Sequence, residues 1–121
     1  MTTTSIAVEG IYSIEFIGIA GWGTGELSFD TCKITGQDEG GAIYNGTYVF
    51  NTRSEHFDIN LRVTVPVETW LVTGIPAQAK QYTFNIKTSI PRNFRGGHQI
   101  CVPTEFGQVL VRFDKLADLS D

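Results

Sequence analysis

Strict alternation of apolar and polar residues restricts the fold of this sequence more than any other feature. The clearest example is His56–Val65, in which every second residue from Phe57 onward is apolar. The same pattern occurs in Gly10–Gly18, Gln81–Ser89 and Gln108–Phe113. Because successive side chains of a strand point to opposite faces, each segment predicts a strand with one apolar and one polar face.

Shorter strand-like segments lie between these four, and turn-forming residues separate them. The shorter segments are Gly25–Phe29, Cys32–Thr35, Ala42–Phe50, Thr69–Thr73 and Gln99–Val102. The predicted turns are Gly21–Gly23, Asp30–Thr31, Gly36–Gly41, Asn51–Ser54 and Arg95–Gly97. Turns at intervals of about 8–12 residues are typical of an antiparallel barrel or sandwich. We predict an all-β fold, a small antiparallel up-and-down β-barrel of about eight strands, because one-faced strands must close to hide their apolar side.

The dipeptide Asn45-Gly46 allows two interpretations. Asn-Gly is a favoured two-residue hairpin turn, but a hairpin here would leave arms of only about three or four residues. We therefore predict one long strand over Ala42–Phe50. In it, Gly46 allows a sharp bend or the crossing of another side chain.

Composition and charge exclude several classes of protein. The 121 residues are 41% hydrophobic and 18% charged, which predicts a packed core. The net charge is −4, so we expect no direct binding to nucleic acid, and the one basic cluster, Arg92–His98, is too isolated to change this. No apolar run reaches the roughly 18 residues of a membrane helix, so we expect no membrane contact.

We expect one domain over residues 8–116, with frayed ends at residues 1–7 and 117–121. The first residues carry neither a basic nor an apolar stretch, which does not fit a signal peptide. The chain has only two cysteines, Cys32 and Cys101, so we predict a cytoplasmic protein and buried free thiols.

One face of the predicted strands is almost free of charge and carries most of the aromatic residues. Its residues are Tyr12, Ile14, Phe16, Leu27, Phe29, Tyr44, Tyr48, Phe50, Phe57, Ile59, Leu61, Tyr82, Phe84 and Ile86. This face predicts either a solid core or a cavity for one apolar molecule. A ligand there would be apolar with a polar head at the rim, because the interior offers few hydrogen-bond partners.

Several aliphatic residues fall on the opposite face, where polar residues are expected. They are Ile11, Ile17, Ile43, Val49, Leu71 and Leu110. Scattered exposed aliphatic residues are normal, whereas a contiguous group indicates a dimer or protein-binding surface. The first and last strands of a closed barrel pair, so we expect Ile11, Ile17 and Leu110 to be neighbours and the protein to form a homodimer.

No residues match a catalytic, cofactor-binding or metal-binding motif. Gly21–Gly25 begins like a dinucleotide-binding loop, but a strand rather than a helix follows it, and Trp22 is expected to cover the barrel end or to contact a partner. Ser54–His56 with Asp58 predicts a solvated turn rather than a catalytic group, since adjacent residues point apart. His56 and His98 have no nearby cysteine pair and no His-x-His spacing, so they do not predict a metal site. We expect a non-catalytic protein without cofactor or metal.

Four motifs in the N-terminal half together resemble the GrlR-type negative regulators of type III secretion. They are Gly10–Phe16, Gly25–Leu27, Ile34–Gly36 and Ile43–Tyr48, the last containing the pattern Tyr-x-Gly-x-Tyr. The match covers mainly residues 10–50. The resemblance implies a small lipocalin-like barrel that is usually a dimer and has an apolar interior.

In the regulator that gives this family its name, the barrel binds and holds off a helix-turn-helix transcription activator. That regulator carries a run of Glu and Asp after the Tyr-x-Gly-x-Tyr strand, whereas Asn51–Glu55 here holds one acid and one base. The resulting hypothesis is a GrlR-like regulator that acts through protein contact. The alternative is an intracellular carrier or sensor of an apolar small molecule or lipid held in the barrel.

Overall fold

The computed structural model describes residues 8–118. The strands are β1 (Gly10–Gly18), β2 (Gly21–Asp30), β3 (Lys33–Asp38), β4 (Ile43–Asn51), β5 (His56–Val65), β6 (Tyr82–Pro91), β7 (Ile100–Thr104) and β8 (Gly107–Ala117). Between Gly10 and Ala117 the one helical element is a short 3-10 turn, Phe94–Gly96. The predicted frayed end at residues 1–7 lies outside the described residues, as do residues 119–121 of the predicted tail. Ala117 pairs with Ile11 and so belongs to β8.

All paired strands are antiparallel, in the order β6-β5-β4-β3-β2-β1-β8-β7. The two edge strands, β6 and β7, approach to within 8 Å at their Cα atoms without pairing. Across this seam the rings of Phe84 and Phe106 lie 5.1 Å apart, centroid to centroid. The sheet therefore forms a nearly closed barrel, which confirms the predicted fold class.

Two of the alternating segments, β1 and β5, have the predicted bounds. In contrast, the prediction of a turn over Gly21–Gly23 is wrong, because the chain reverses at Ile19 and Ala20 and β2 already begins at Gly21. Gly23 pairs with Phe16, and a Cβ atom at Gly23 would lie 2.8 Å from that ring. The glycine thus provides space for an aromatic side chain inside the barrel.

Residues Ile43–Asn51 form one continuous strand, as predicted from the Asn45-Gly46 dipeptide. Gly46 pairs with Leu61 of β5. A Cβ atom at Gly46 would clash with the carbonyl oxygen of Asn60 and lie 2.8 Å from the Cα atom of Leu61. The glycine therefore allows the backbones of β4 and β5 to approach closely.

The predicted strand Thr69–Thr73 is wrong. These residues lie in the long connection between β5 and β6, residues 66–81, which we call the cap segment. Its backbone bonds lie within the segment, as from Leu71 N to Ile75 O at 3.0 Å and from Glu68 N to Gln78 O at 2.8 Å, apart from a bond of 2.7 Å from Ala20 N to Val72 O. Gly74 adopts a positive φ of 99°, which turns the chain away from an extended path. A short apolar run of this kind does not distinguish a strand from a packed loop.

The two ends of the barrel differ. One end, which we call the cap end, contains the β1–β2, β3–β4 and β7–β8 turns and the cap segment. The other end, which we call the closed end, contains the β2–β3 and β4–β5 turns and the β6–β7 connection. The closed end is filled by an aromatic cluster, which we define as Tyr12, Phe29, Tyr48, Phe57, Phe94 and Phe113.

Phe94 comes from the 3-10 turn and is completely buried. Its ring centroid lies 5.0 Å from that of Phe113, 5.5 Å from Tyr12 and 5.7 Å from Phe29. The Arg92–His98 segment, which had no assigned role in the sequence, therefore closes this end of the barrel. The only signal for it is one phenylalanine within a polar and glycine-rich segment.

Candidate functional site

A cavity of about 300 Å³ occupies the barrel between the aromatic cluster and the cap segment. All eight strands contribute lining residues, most of them apolar and inward-facing. The cavity reaches the surface at the cap end, where the exposed residues Trp22, Glu39 and Trp70 border it. We call this border the mouth. The volume is at the lower limit of ligand pockets, about 300–1,000 Å³.

The residues predicted from the sequence to face inward are all buried or half-buried. Those that line the cavity are Ile14, Phe16, Leu27, Phe29, Tyr44, Ile59, Leu61, Phe84 and Ile86. Those that do not are Tyr12, Tyr48, Phe50, Phe57 and Tyr82. The first four of these pack in or beside the aromatic cluster, whereas Tyr82 borders a more open hollow next to the cap segment. The interior is thus solid at one end and hollow at the other.

The cap segment supplies part of the lining that the alternation did not reveal. Thr69, Trp70, Leu71, Val72 and Thr73 all line the cavity. Sequence periodicity gives no sign of this, because the segment is neither a strand nor a helix. Its packing depends on contacts with the barrel, such as those of Leu71 with the cluster that contains Val63 and Val65.

Leu71 is a correction to the predicted outward aliphatic residues. Its side chain is half-buried and packs against the cluster that contains Ala42, Val63 and Val65. The expectation relied on alternation along a strand, and no strand exists at this position. Leu71 therefore belongs to the interior and is removed from the candidate interface residues.

Asp38, at the end of β3, organises the polar part of the mouth. Its Oδ1 atom accepts hydrogen bonds from the backbone nitrogens of Gly40 and Ala42, both at 3.0 Å. Its Oδ2 atom accepts a hydrogen bond of 2.8 Å from the hydroxyl of Tyr44. Burial, and secondarily the charge of Asp38, holds the pKa of Tyr44 well above its ordinary value. Tyr44 is therefore a neutral donor that fixes the carboxylate.

Polar groups elsewhere on the cavity wall are hydroxyls. Thr88 and Thr104 line it together with Thr69 and Thr73 of the cap segment. The Oγ1 atom of Thr73 is buried and has no hydrogen-bond partner among the described residues. A buried hydroxyl without a hydrogen-bond partner is energetically unfavourable.

The outer face carries apolar residues that meet on neighbouring strands. Ile17 of β1 pairs with Leu110 of β8 on one side and with Trp22 of β2 on the other. We call Leu110, Ile17 and Trp22 the outer row; their exposed fractions are 38%, 44% and 70%. The prediction that Ile11 is a neighbour of Ile17 and Leu110 is wrong, because Ile11 is half-buried and lies opposite Ala117 near the closed end.

The other two aliphatic residues predicted to face outward, Ile43 and Val49, are also exposed. Both lie on β4, three strands away from β1 in the sheet. They are therefore separate from the outer row.

The prediction of buried thiols is wrong, because both cysteines are free and exposed. Cys32 lies in the β2–β3 turn with a φ of 67°. Cys101 lies on β7 opposite Leu110, so strand alternation places its side chain outside. Across residues 8–118, no three His, Cys, Asp or Glu side chains form a group that could hold a metal ion.

No protein-family model matches this sequence, and no curated protein is significantly similar to it. Among residues 8–118, no helix is long and apolar enough to cross a membrane. The cavity and the outer surface of the barrel are the features of the molecule that bear on its function.

Proposed function

We propose that the protein is a non-catalytic barrel that binds an apolar small molecule in its cavity. The observation that carries this proposal is the hollow between the cap segment and the aromatic cluster. Protein interiors are normally packed as densely as organic crystals. A hollow of about 300 Å³ inside an otherwise packed barrel of this size is the space that one small ligand would fill.

The chemistry of the wall supports an apolar ligand. Most of the lining is aliphatic or aromatic, and the polar side chains are concentrated at the mouth and in a few threonines. Burying one methylene group contributes about 0.8 kcal/mol, which corresponds to about fourfold in affinity. A chain that extends from the mouth to Phe29 and Phe113 would gain this contribution at each carbon.

A homologous series of 1-alkanols tests the proposal. The chain has two tryptophans, Trp22 and Trp70, and both border the cavity, so their fluorescence reports its occupancy. We expect saturable binding that tightens about fourfold for each added methylene until the cavity is full, and then no further gain. Absence of saturable binding for every alkanol would contradict the proposal.

Two neighbouring substitutions on β8 provide a matched pair. Val111 lines the cavity and Leu110 faces outward. Val111→Phe fills part of the cavity, so the gain in affinity should stop at a shorter chain. Leu110→Phe adds a ring outside and should leave the series unchanged. Equal effects of the two substitutions would place the bound chain outside the barrel.

A second candidate function is contact with another protein, as in a GrlR-like regulator. The outer row favours it, because three apolar side chains lie side by side on β8, β1 and β2. A contiguous exposed apolar group is typical of an interface, and isologous dimers are the commonest way to cover one. We propose a homodimer formed through the outer row, with a transcription activator as the kind of further partner that a GrlR-like role would involve.

Sedimentation velocity over a range of protein concentrations tests the dimer. Leu110→Asp places a charge in the outer row and should shift the protein to a monomer without unfolding it. Ile43→Asp is the control, since Ile43 is also exposed but lies on β4. The same sedimentation coefficient for the wild type and both variants would contradict this interface.

A further inference from the structure

We infer that the ligand is an amphipathic cation, with an apolar chain inside the barrel and a positively charged head at the mouth. This inference rests on the proposed function and adds the chemical class of the ligand. It depends on three features of the described residues: the sign of the charge at the mouth, the two tryptophans beside it and the apolar wall below.

The charged side chains that line the cavity are all acidic. Asp38 and Glu39 line the cavity, whereas no Lys, Arg or His among the described residues does so. Asp38 is fixed by its three hydrogen bonds, and the backbone nitrogen of Glu39 donates to Thr24 O at 3.0 Å, which holds Glu39 at the rim. Two carboxylates beside an apolar cavity attract a cationic head and repel an anionic one. The net charge of −4 acts in the same direction.

The tryptophans add a second and independent preference for a cation. Trp22 and Trp70 border the mouth and expose 70% and 68% of their surface. The face of an indole ring attracts cations, and proteins commonly use such rings to bind quaternary ammonium groups, which have no N–H to donate. Tryptophans and carboxylates together thus match a substituted ammonium head.

The interior fits the other half of such a molecule. Below the mouth the wall is formed by residues such as Leu27, Ile59 and Val111, and the floor by Phe29 and Phe113. A charged group moved to this depth would lose its hydration without a partner. The chain must therefore enter the barrel while the charged head stays at the mouth.

Three ligands with a ten-carbon chain separate the alternatives: decyltrimethylammonium, decanol and decanoate (whose tenth carbon is the carboxylate), each titrated below its micelle-forming concentration at pH 7. We expect decyltrimethylammonium to bind at least about tenfold more tightly than decanoate. Added salt should weaken binding of the cation, strengthen binding of the anion and leave decanol nearly unchanged.

The outcomes distinguish this inference from the proposed function. If decanoate binds as tightly as decyltrimethylammonium, the inference fails while the proposed cavity binding stands. If decanol binds best, without salt dependence in any of the three titrations, the same conclusion follows. If none of the three ligands binds, the proposed function itself fails.

Two variants locate the head group. Glu39→Gln should weaken binding of decyltrimethylammonium by about two- to fivefold and leave decanol unchanged. Trp70→Leu should weaken binding of the cation about three- to tenfold more than binding of decanol. Glu26→Gln is the control for charge, because Glu26 is exposed on β2 and does not line the cavity. Equal effects of Glu39→Gln and Glu26→Gln would overturn the assignment of the mouth.

Discussion

The two ends of this barrel are built from the same strands and the same alternating pattern, yet one is solid and the other hollow. At the closed end, the rings of the aromatic cluster are in contact, with the centroid of Phe94 5.0 Å from Phe113 and 5.8 Å from Phe57. At the cap end, Phe16, Tyr44 and Phe84 also face inward but stay half-buried around a cavity. Alternation decides which side chains face inward, but it does not decide whether they fill the space.

The connections explain the difference. The β6–β7 connection is short and inserts a phenylalanine fully into the closed end. The cap segment is longer, and it buries Leu71 only partly. The tryptophan of this segment, Trp70, remains exposed. The β6–β7 connection buries its phenylalanine and so completes a packed core, whereas the cap segment leaves its tryptophan exposed beside the opening of the cavity.

The largest effect is expected for Phe94→Ala. Removing a completely buried ring from the aromatic cluster should lower the free energy of unfolding by about 3–5 kcal/mol. Urea denaturation followed by circular dichroism measures this change. A loss below about 1 kcal/mol would show that the closed end is not packed around Phe94.

A smaller effect is expected for Phe84→Ala at the cap end. Phe84 is half-buried and borders the cavity, so less apolar surface is lost, and the free energy of unfolding should fall by about 1–2 kcal/mol. The larger cavity should also admit alkanols at least one methylene longer before affinity stops rising. If Phe84→Ala costs as much as Phe94→Ala, the two ends are equally packed and the contrast is wrong.

The smallest effect is expected for Tyr44→Phe, which should lower the free energy of unfolding near pH 7 by about 1 kcal/mol by removing the hydrogen bond to Asp38. The raised pKa of Tyr44 adds a pH dependence. Above about pH 10 the unfolded chain loses the phenolic proton while the folded chain keeps it, so the wild type is destabilised as pH rises.

The Tyr44→Phe variant has no phenolic hydroxyl at position 44, so its stability lacks this pH dependence. The difference in free energy of unfolding between wild type and variant should therefore shrink from pH 8 to pH 11. Urea denaturation of both proteins at the two pH values measures it. Tyr48 and Tyr82, whose pKa values are also raised by burial, are present in both proteins and cancel in the difference. A difference that does not change with pH would contradict the burial of the Tyr44 hydroxyl at the mouth.

The strands were predictable because their signal is local. The bounds of β1 and β5 follow from alternation, and the continuity of β4 through Gly46 follows from the short arms that a hairpin at Asn45-Gly46 would leave. Phe94 and Leu71 were not predictable in this way, since each lies in a connection without periodicity and its position depends on contacts with distant strands of the barrel. The prediction for Cys101 fails because the residue type favours burial, whereas alternation along β7 places the side chain outside.

The mouth was the least predictable part of the site. Trp22, Asp38 and Trp70 come from β2, β3 and the cap segment and meet only in the folded chain. The sequence did place Trp22 at a barrel end or a partner surface, and the structure puts it at the mouth and in the outer row. Such a convergence depends on strand order and loop path, which residue spacing does not encode.

The seam between β6 and β7 has a consequence for solubility. An unpaired sheet edge is a template on which strands of other molecules can add, and the result is aggregation. Here β7 is only five residues long and contains Pro103, which has no backbone N–H to offer to an incoming strand. The other edge, β6, presents the charged side chain of Lys87 and ends at Pro91. The gap in the barrel is thus protected against edge-to-edge polymerisation by the residues that border it.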